Sequence, residues 1–184
     1  MLALILYSQK DNNRSRKISP PITLEMLENA TYYFEDEDEE ITLQHGRRSF
    51  PAGLEHGEMD DLTMEIIDKY GYLIATLTEV AFGDINHDNS QDAIAVVHIN
   101  RGGSGGFSFL FPVINKDGNA MPLSGTYLGD RIDIKSVSIR KNIITVEALM
   151  HGENDAWAFP TDLRKFSYKL RNQTLYCITP PCGE

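Results

Sequence analysis

The sequence predicts an α+β fold that is mostly β: an antiparallel sheet or sandwich of sequential hairpins with one or two short helices. Three observations carry this expectation. Runs rich in β-branched and aliphatic residues recur from Tyr72 to Ile178. Residues 132–139 alternate apolar and polar with period two, as a half-buried strand does. Short polar turns separate the runs, so successive strands return antiparallel to one another. A chain of 184 residues suits one domain with a substantial core.

Taken in order, residues 1–7 are apolar with no basic residue ahead of them, which reads as the stub of a secretory leader or as a first strand. Residues 8–21 are polar and end in Pro20-Pro21, the composition of a flexible arm. The β-rich domain is expected over residues 22–178, with 179–184 as a tail. Residues 23–29 predict a short helix capped by Thr23, with Leu24 and Leu27 facing inward. Residues 60–70 predict a second helix, apolar at Leu62, Ile66 and Ile67 and stopped by Gly71. Strands follow over 72–82, 93–99 and 107–114, then 132–139 and 143–149 about a tight connection at 140–142. A last hairpin, 164–170 and 174–178, turns around 171–173.

Between the first two of these strands lies the segment with the most chemistry. Residues 84–92 place oxygen-bearing side chains at positions 1, 3, 5, 7 and 9: Asp84, Asn86, Asp88, Ser90 and Asp92. Ca²⁺ takes about six to eight oxygen ligands, and alternate residues of a curling loop can supply them. Three carboxylates held this close repel one another unless a cation sits between them. The EF-hand pattern is excluded, because position 12 is Ala95, position 6 is Asn89, and the flanks read as strands. Asn89 can take the left-handed backbone that a sharp loop needs. With Phe82-Gly83 ahead of Asp84, the segment resembles the calcium loops of FG-GAP repeats. A second copy is absent from the sequence, so no repeat array is expected. The alternative reading is a polar turn in which Asx side chains bond their own backbone.

The net charge of −10 argues against nucleic acid as a partner, since phosphates call for basic patches. It is compatible with cations or a basic protein. The run Glu35, Asp36, Glu37, Asp38, Glu39, Glu40 concentrates the charge; it reads as a solvated loop, or as the surface of an inhibitor or immunity-type protein that captures a basic partner. No stretch has the eighteen or so apolar residues of a membrane span. Cys177 and Cys182 enclose Ile-Thr-Pro-Pro and either close as a disulfide or stay as two thiols. Arg101-Gly-Gly-Ser-Gly-Gly leads into a strand, which makes it a turn and not a phosphate cradle. The histidines lack zinc-site spacing, and no Gly-x-Ser-x-Gly elbow is present, so no catalytic residue is named. A metal-assisted hydrolase would require an open coordination position and a base such as His87 or His151. Residues 151–155 read as a polar turn, and Trp157 and Phe159 as lids on the core.

Several blocks, in order, resemble a family of uncharacterised bacterial exported proteins or lipoproteins: residues 27–32, 82–97, 102–107, 128–132 and 151–155. The resemblance implies a secreted or periplasmic domain and supplies no reaction. Members often carry paired cysteines ahead of the Pro-Thr that is Pro160-Thr161 here. Ala158 and Phe159 stand in this chain, so that disulfide does not carry over. The expectation is a non-enzymatic extracytoplasmic binding or structural domain, monomeric or weakly associating, with one structural Ca²⁺ at 84–92.

Overall fold

A sheet buried on both faces organises the molecule. The computed structural model describes residues 19–35, 38–51, 61–153, 155–156 and 159–179. Of the leader or arm expected at residues 1–21, residues 1–18 lie outside what is described, as do the Leu62 side chain, Trp157 and residues 180–184 of the expected tail. Elements run α1 (Leu24–Glu28), β1 (Thr31–Phe34), β2 (Glu39–Thr42), β3 (Arg47–Phe50), α2 (Asp61–Tyr70), β4 (Leu73–Gly83), β5 (Asp92–Asn100) and β6 (Phe107–Lys116). They continue with β7 (Asn119–Pro122), β8 (Thr126–Asp130), β9 (Asp133–Arg140), β10 (Ile143–Met150), β11 (Asp162–Arg171) and β12 (Thr174–Cys177). The mostly β, antiparallel expectation holds. None of the helices is long and apolar enough to cross a membrane, among the described residues.

The central sheet has the order β3-β4-β5-β6-β7, with β8 also paired to β6. β9 to β12 form a second sheet of consecutive hairpins, and β1 with β2 forms a small third one. On β5 the odd residues Ala93, Ala95, Val97 and Ile99 enter one core with Leu27, Tyr32, Phe34 and Ile41 from the α1, β1 and β2 layer. The even residues Ile94 and Val96 enter another core with Ile144, Val146, Phe166 and Tyr168 of the second sheet. Burial on both faces is why this segment is a continuous apolar run and does not alternate. The architecture is therefore three layers, one more than a simple sandwich.

Proline explains how β6 is shared. It pairs with β8 over Phe107–Leu110 and with β7 over Val113–Lys116. Pro112, which has no N–H to give, stands at the hand-over, while its carbonyl accepts from Leu123 N at 2.8 Å. The missing donor falls where the neighbouring strand changes. The turns joining β6–β7, β9–β10 and β11–β12 each place two residues at positive φ: Asp117 and Gly118, Lys141 and Asn142, Asn172 and Gln173. Such turns match the twist of the strands they join.

Thr23 caps α1 as expected, its hydroxyl accepting from Met26 N at 3.4 Å. Leu27 is fully buried and Leu24 is 48% exposed, which corrects the expectation that both face inward. A single helical turn has room over the core for only one of them. Gly71 ends α2 at φ +88, its N–H reaching Ile67 O at 2.8 Å. Phe159 is 71% exposed and is no lid; it follows β10 and precedes β11, outside both sheets. β1, β2, β3, β7 and β8 were not expected. Their sequences are short or mixed, and β3 and β7 lie at sheet edges.

Candidate metal centre

The loop between β4 and β5 begins at a contact that requires glycine. A Cβ at Gly83 would lie 2.8 Å from Ile139 Cγ2, so β4 approaches β9 here closer than any side chain permits. Two residues on, Ile85 is 1% exposed and plugs the core between the sheets. The loop is thus pinned by an apolar anchor between its first two polar residues. His87 and Asn89 both take φ +68, and Asn89 thereby fills the left-handed position expected of it.

The side chains then wind inward. Asp84 Oδ1 accepts from Asn86 N at 3.2 Å and His87 N at 2.7 Å, and its Oδ2 accepts from Asn89 N at 3.1 Å. Asp88 Oδ1 accepts from Ser90 N at 2.6 Å. Asn86 accepts from Asp88 N at 2.9 Å and donates its amide to Asp88 Oδ2 at 2.9 Å. Asp92 is fully buried: Oδ2 accepts from Ile85 N at 3.1 Å and Oδ1 from Asn115 N at 2.9 Å. Asp84, Asp88 and Asp92 each bring one oxygen within 4.8 Å of the others. Of the five residues expected to ligate, the three carboxylates converge, while Asn86 and Ser90 bond to Asp88.

Electrostatics follow from these positions. Burial pushes the Asp92 carboxyl above its usual range, aided by the charges of Asp88 and Asp84 and opposed by the bonds from Asn115 and Ile85. Asp88 is also raised by desolvation, but the bonds from Ser90 and Asn86 outweigh it and hold the group below its usual range. Among the described residues no Lys or Arg forms a salt bridge with Asp92. A cluster of three converging carboxylates, one of them fully buried, could hold a metal ion. All the donors are oxygen, which favours a hard ion over zinc or copper. A cavity of about 440 Å³, walled partly by Asn86, Asp88, Asn172 and Gln173, opens beside the loop and has room for water ligands.

Two supporting residues were not expected. Asn115 donates its backbone N–H to Asp92, and Asn142 donates its amide to Asp84 O at 2.7 Å from the β9–β10 turn. The polar Asn115 at the end of the apolar run 107–114 was the available signal for the first. For Asn142, sequence shows only a turn residue. Asn142→Gly keeps the positive φ of +61 at no strain and removes the bond to Asp84. It is expected to cost about 1 kcal/mol in urea unfolding.

The other candidates are tied up locally. Glu39 and Glu40 belong to β2, paired with Phe34 and Tyr33, which shortens the acidic loop expected to reach residue 40. Glu39 forms an ion pair with Arg101, and Asp38 accepts from the Tyr33 hydroxyl at 2.9 Å. Glu35 and Glu40 are exposed, and Asp36 and Glu37 lie outside the described residues. The glycine-rich segment is a turn closed by Asn100, which accepts from Gly102 N and donates to Gly105 O, each at 2.8 Å. Asp155 closes the turn at 151–155 by accepting from Gly152 N at 2.9 Å and Thr161 N at 2.7 Å. Cys177 is disulfide-bonded, and the chain's other cysteine, Cys182, lies outside the described residues. No protein-family model, curated protein or solved structure matches this chain.

Proposed function

We propose that the protein is a non-enzymatic extracytoplasmic binding or structural domain that carries one structural Ca²⁺ in the loop 84–92. The observation that supports this most is the convergence of the Asp84, Asp88 and Asp92 oxygens within 4.8 Å, one of the three carboxylates being fully buried. Three such charges repel by up to a few kcal/mol per pair at an effective dielectric near 20, less where Asp88 meets water. A divalent cation turns that repulsion into attraction. A structural role suits a loop whose bonds run back into itself and to the strands and turns on either side. The extracytoplasmic location rests on the family resemblance and accords with a disulfide at Cys177. Capture of a basic partner by residues 35–40 is the weaker lead, because Glu39 already pairs with Arg101.

The test is thermal unfolding in calcium, in magnesium and in excess chelator, with metal analysis of the purified protein. At a calcium concentration near 100 times Kd the expected stabilisation is about 2.7 kcal/mol. For a chain of this size that raises Tm by about 5–10 °C. Magnesium, which demands a tighter octahedral shell, should give a smaller rise. A Tm that chelator leaves unmoved would refute the reading.

A further inference from the structure

Asn115 sits where two distant parts of the chain meet. It is 4% exposed and every polar group of its side chain is used. Its amide donates to Pro20 O at 2.8 Å and to Gln91 O at 3.1 Å, and its oxygen accepts from Gly118 N at 2.8 Å. Its backbone N–H goes to Asp92. Pro20 also packs on the β6–β7 turn: its Cγ is 3.2 Å from where a Cβ would stand at Gly118. Two residues later Ile22 enters the core. One buried amide therefore joins the loop that ends at Asp92 to the segment that leads into α1.

We infer that Asn115 is a latch through which the 84–92 loop and the lead-in segment at Pro20–Ile22 hold each other in place. A buried amide that loses one partner leaves a costly unpaired group, so the bonds to Pro20 and Gln91 form and break together more readily than singly. Loosening Asp92 frees the Asn115 backbone, and a displaced Asn115 can no longer hold Pro20. Coupling of this kind is reciprocal: what fixes the loop seats the lead-in, and what loosens the lead-in weakens the loop. In its cation-dependent form the latch rests on the calcium reading above. A calcium ion fixing Asp92 would then tighten the Pro20–Ile22 segment through Asn115.

The experiment is amide hydrogen exchange by NMR on the full chain, in calcium and in chelator, with calcium titration of the parent and of Pro20→Gly. Pro20→Gly loosens an exposed position and leaves the buried bonds chemically available, so folding is not at stake. Chelation is expected to speed exchange of the Gly118 and Leu27 amides about tenfold. Pro20→Gly is expected to weaken calcium affinity about threefold by reciprocity. Calcium binding with unchanged exchange at Gly118 and Leu27, or with unchanged affinity in Pro20→Gly, overturns the latch and leaves the metal reading standing. If no calcium binds, the metal reading fails instead. The latch is then decided by the Ile85 amide, which bonds Asp92: faster exchange in metal-free Pro20→Gly supports it, and an unchanged rate overturns it.

Discussion

Asp92→Ala is expected to lower stability even in chelator, by up to about 6 kcal/mol, and by more in calcium. The side chain is fully buried and accepts two backbone N–H groups, from Ile85 and Asn115. Truncation leaves both donors without their carboxylate partner, at about 1–3 kcal/mol for each. Relief of a buried charge offsets part of this in metal-free protein, since burial already disfavours the charged form of Asp92. The linkage has a definite sign. A carboxyl whose folded pKa is raised binds its proton more tightly when folded, so its contribution to metal-free stability is present at acid pH and is lost as pH rises through the folded value. Asp88→Ala provides the contrast. Asp88 is exposed, and its acceptor bonds stay within the loop. It should abolish the calcium-dependent rise in Tm at little cost to metal-free protein, and Asp84→Ala should also abolish it. Urea unfolding of the variants in calcium and in chelator checks all of this. Should Asp92→Ala cost nothing in chelator, the carboxylate has no structural role of its own.

Much of this arrangement was legible in the sequence because the signals were local. The polar alternation from Asp84 to Asp92 between two apolar runs identified both the loop and its flanking strands. Thr23 and Gly71 marked a helix start and a helix stop through the chemistry of their own backbones. What sequence could not give was whatever depends on distant chain. The apolar run of β5 states that the strand is buried, but not that two different layers bury it. Tyr32, Phe34 and Ile41 flank an acidic segment, and their burial arises only where β1 and β2 meet the central sheet. β7 and β8 are strands because they share β6 on either side of Pro112, a relation no local pattern contains. Asn115 and Asn142 support the loop from 23 and 58 residues away; a polar residue ending an apolar run marks Asn115 as unusual, but neither local sequence identifies the partner.

The third layer can be tested through Phe111→Ala, with an expected loss of about 3–5 kcal/mol. Phe111 is fully buried on β6, its ring centroid 4.9 Å from Tyr32 and 4.9 Å from Phe34 in edge-on contacts. On its other side a Cβ at Gly125 would fall 2.5 Å from the ring, so the ring fills the space that glycine leaves. A cavity there removes packing from β1 and β6 at once and weakens the seat of α1, to which β1 is tied by the Tyr32 hydroxyl donating to Leu27 O at 2.9 Å. Native proteins are stable by only about 5–15 kcal/mol, so one such deletion removes a large share of the total. The central sheet is common to both cores, and the loss should therefore appear in global unfolding. Hydrogen exchange should nonetheless rise most in β1 and β2, which have no second layer to hold them. A cost below 1 kcal/mol would mean that the α1, β1 and β2 layer does not depend on this aromatic cluster.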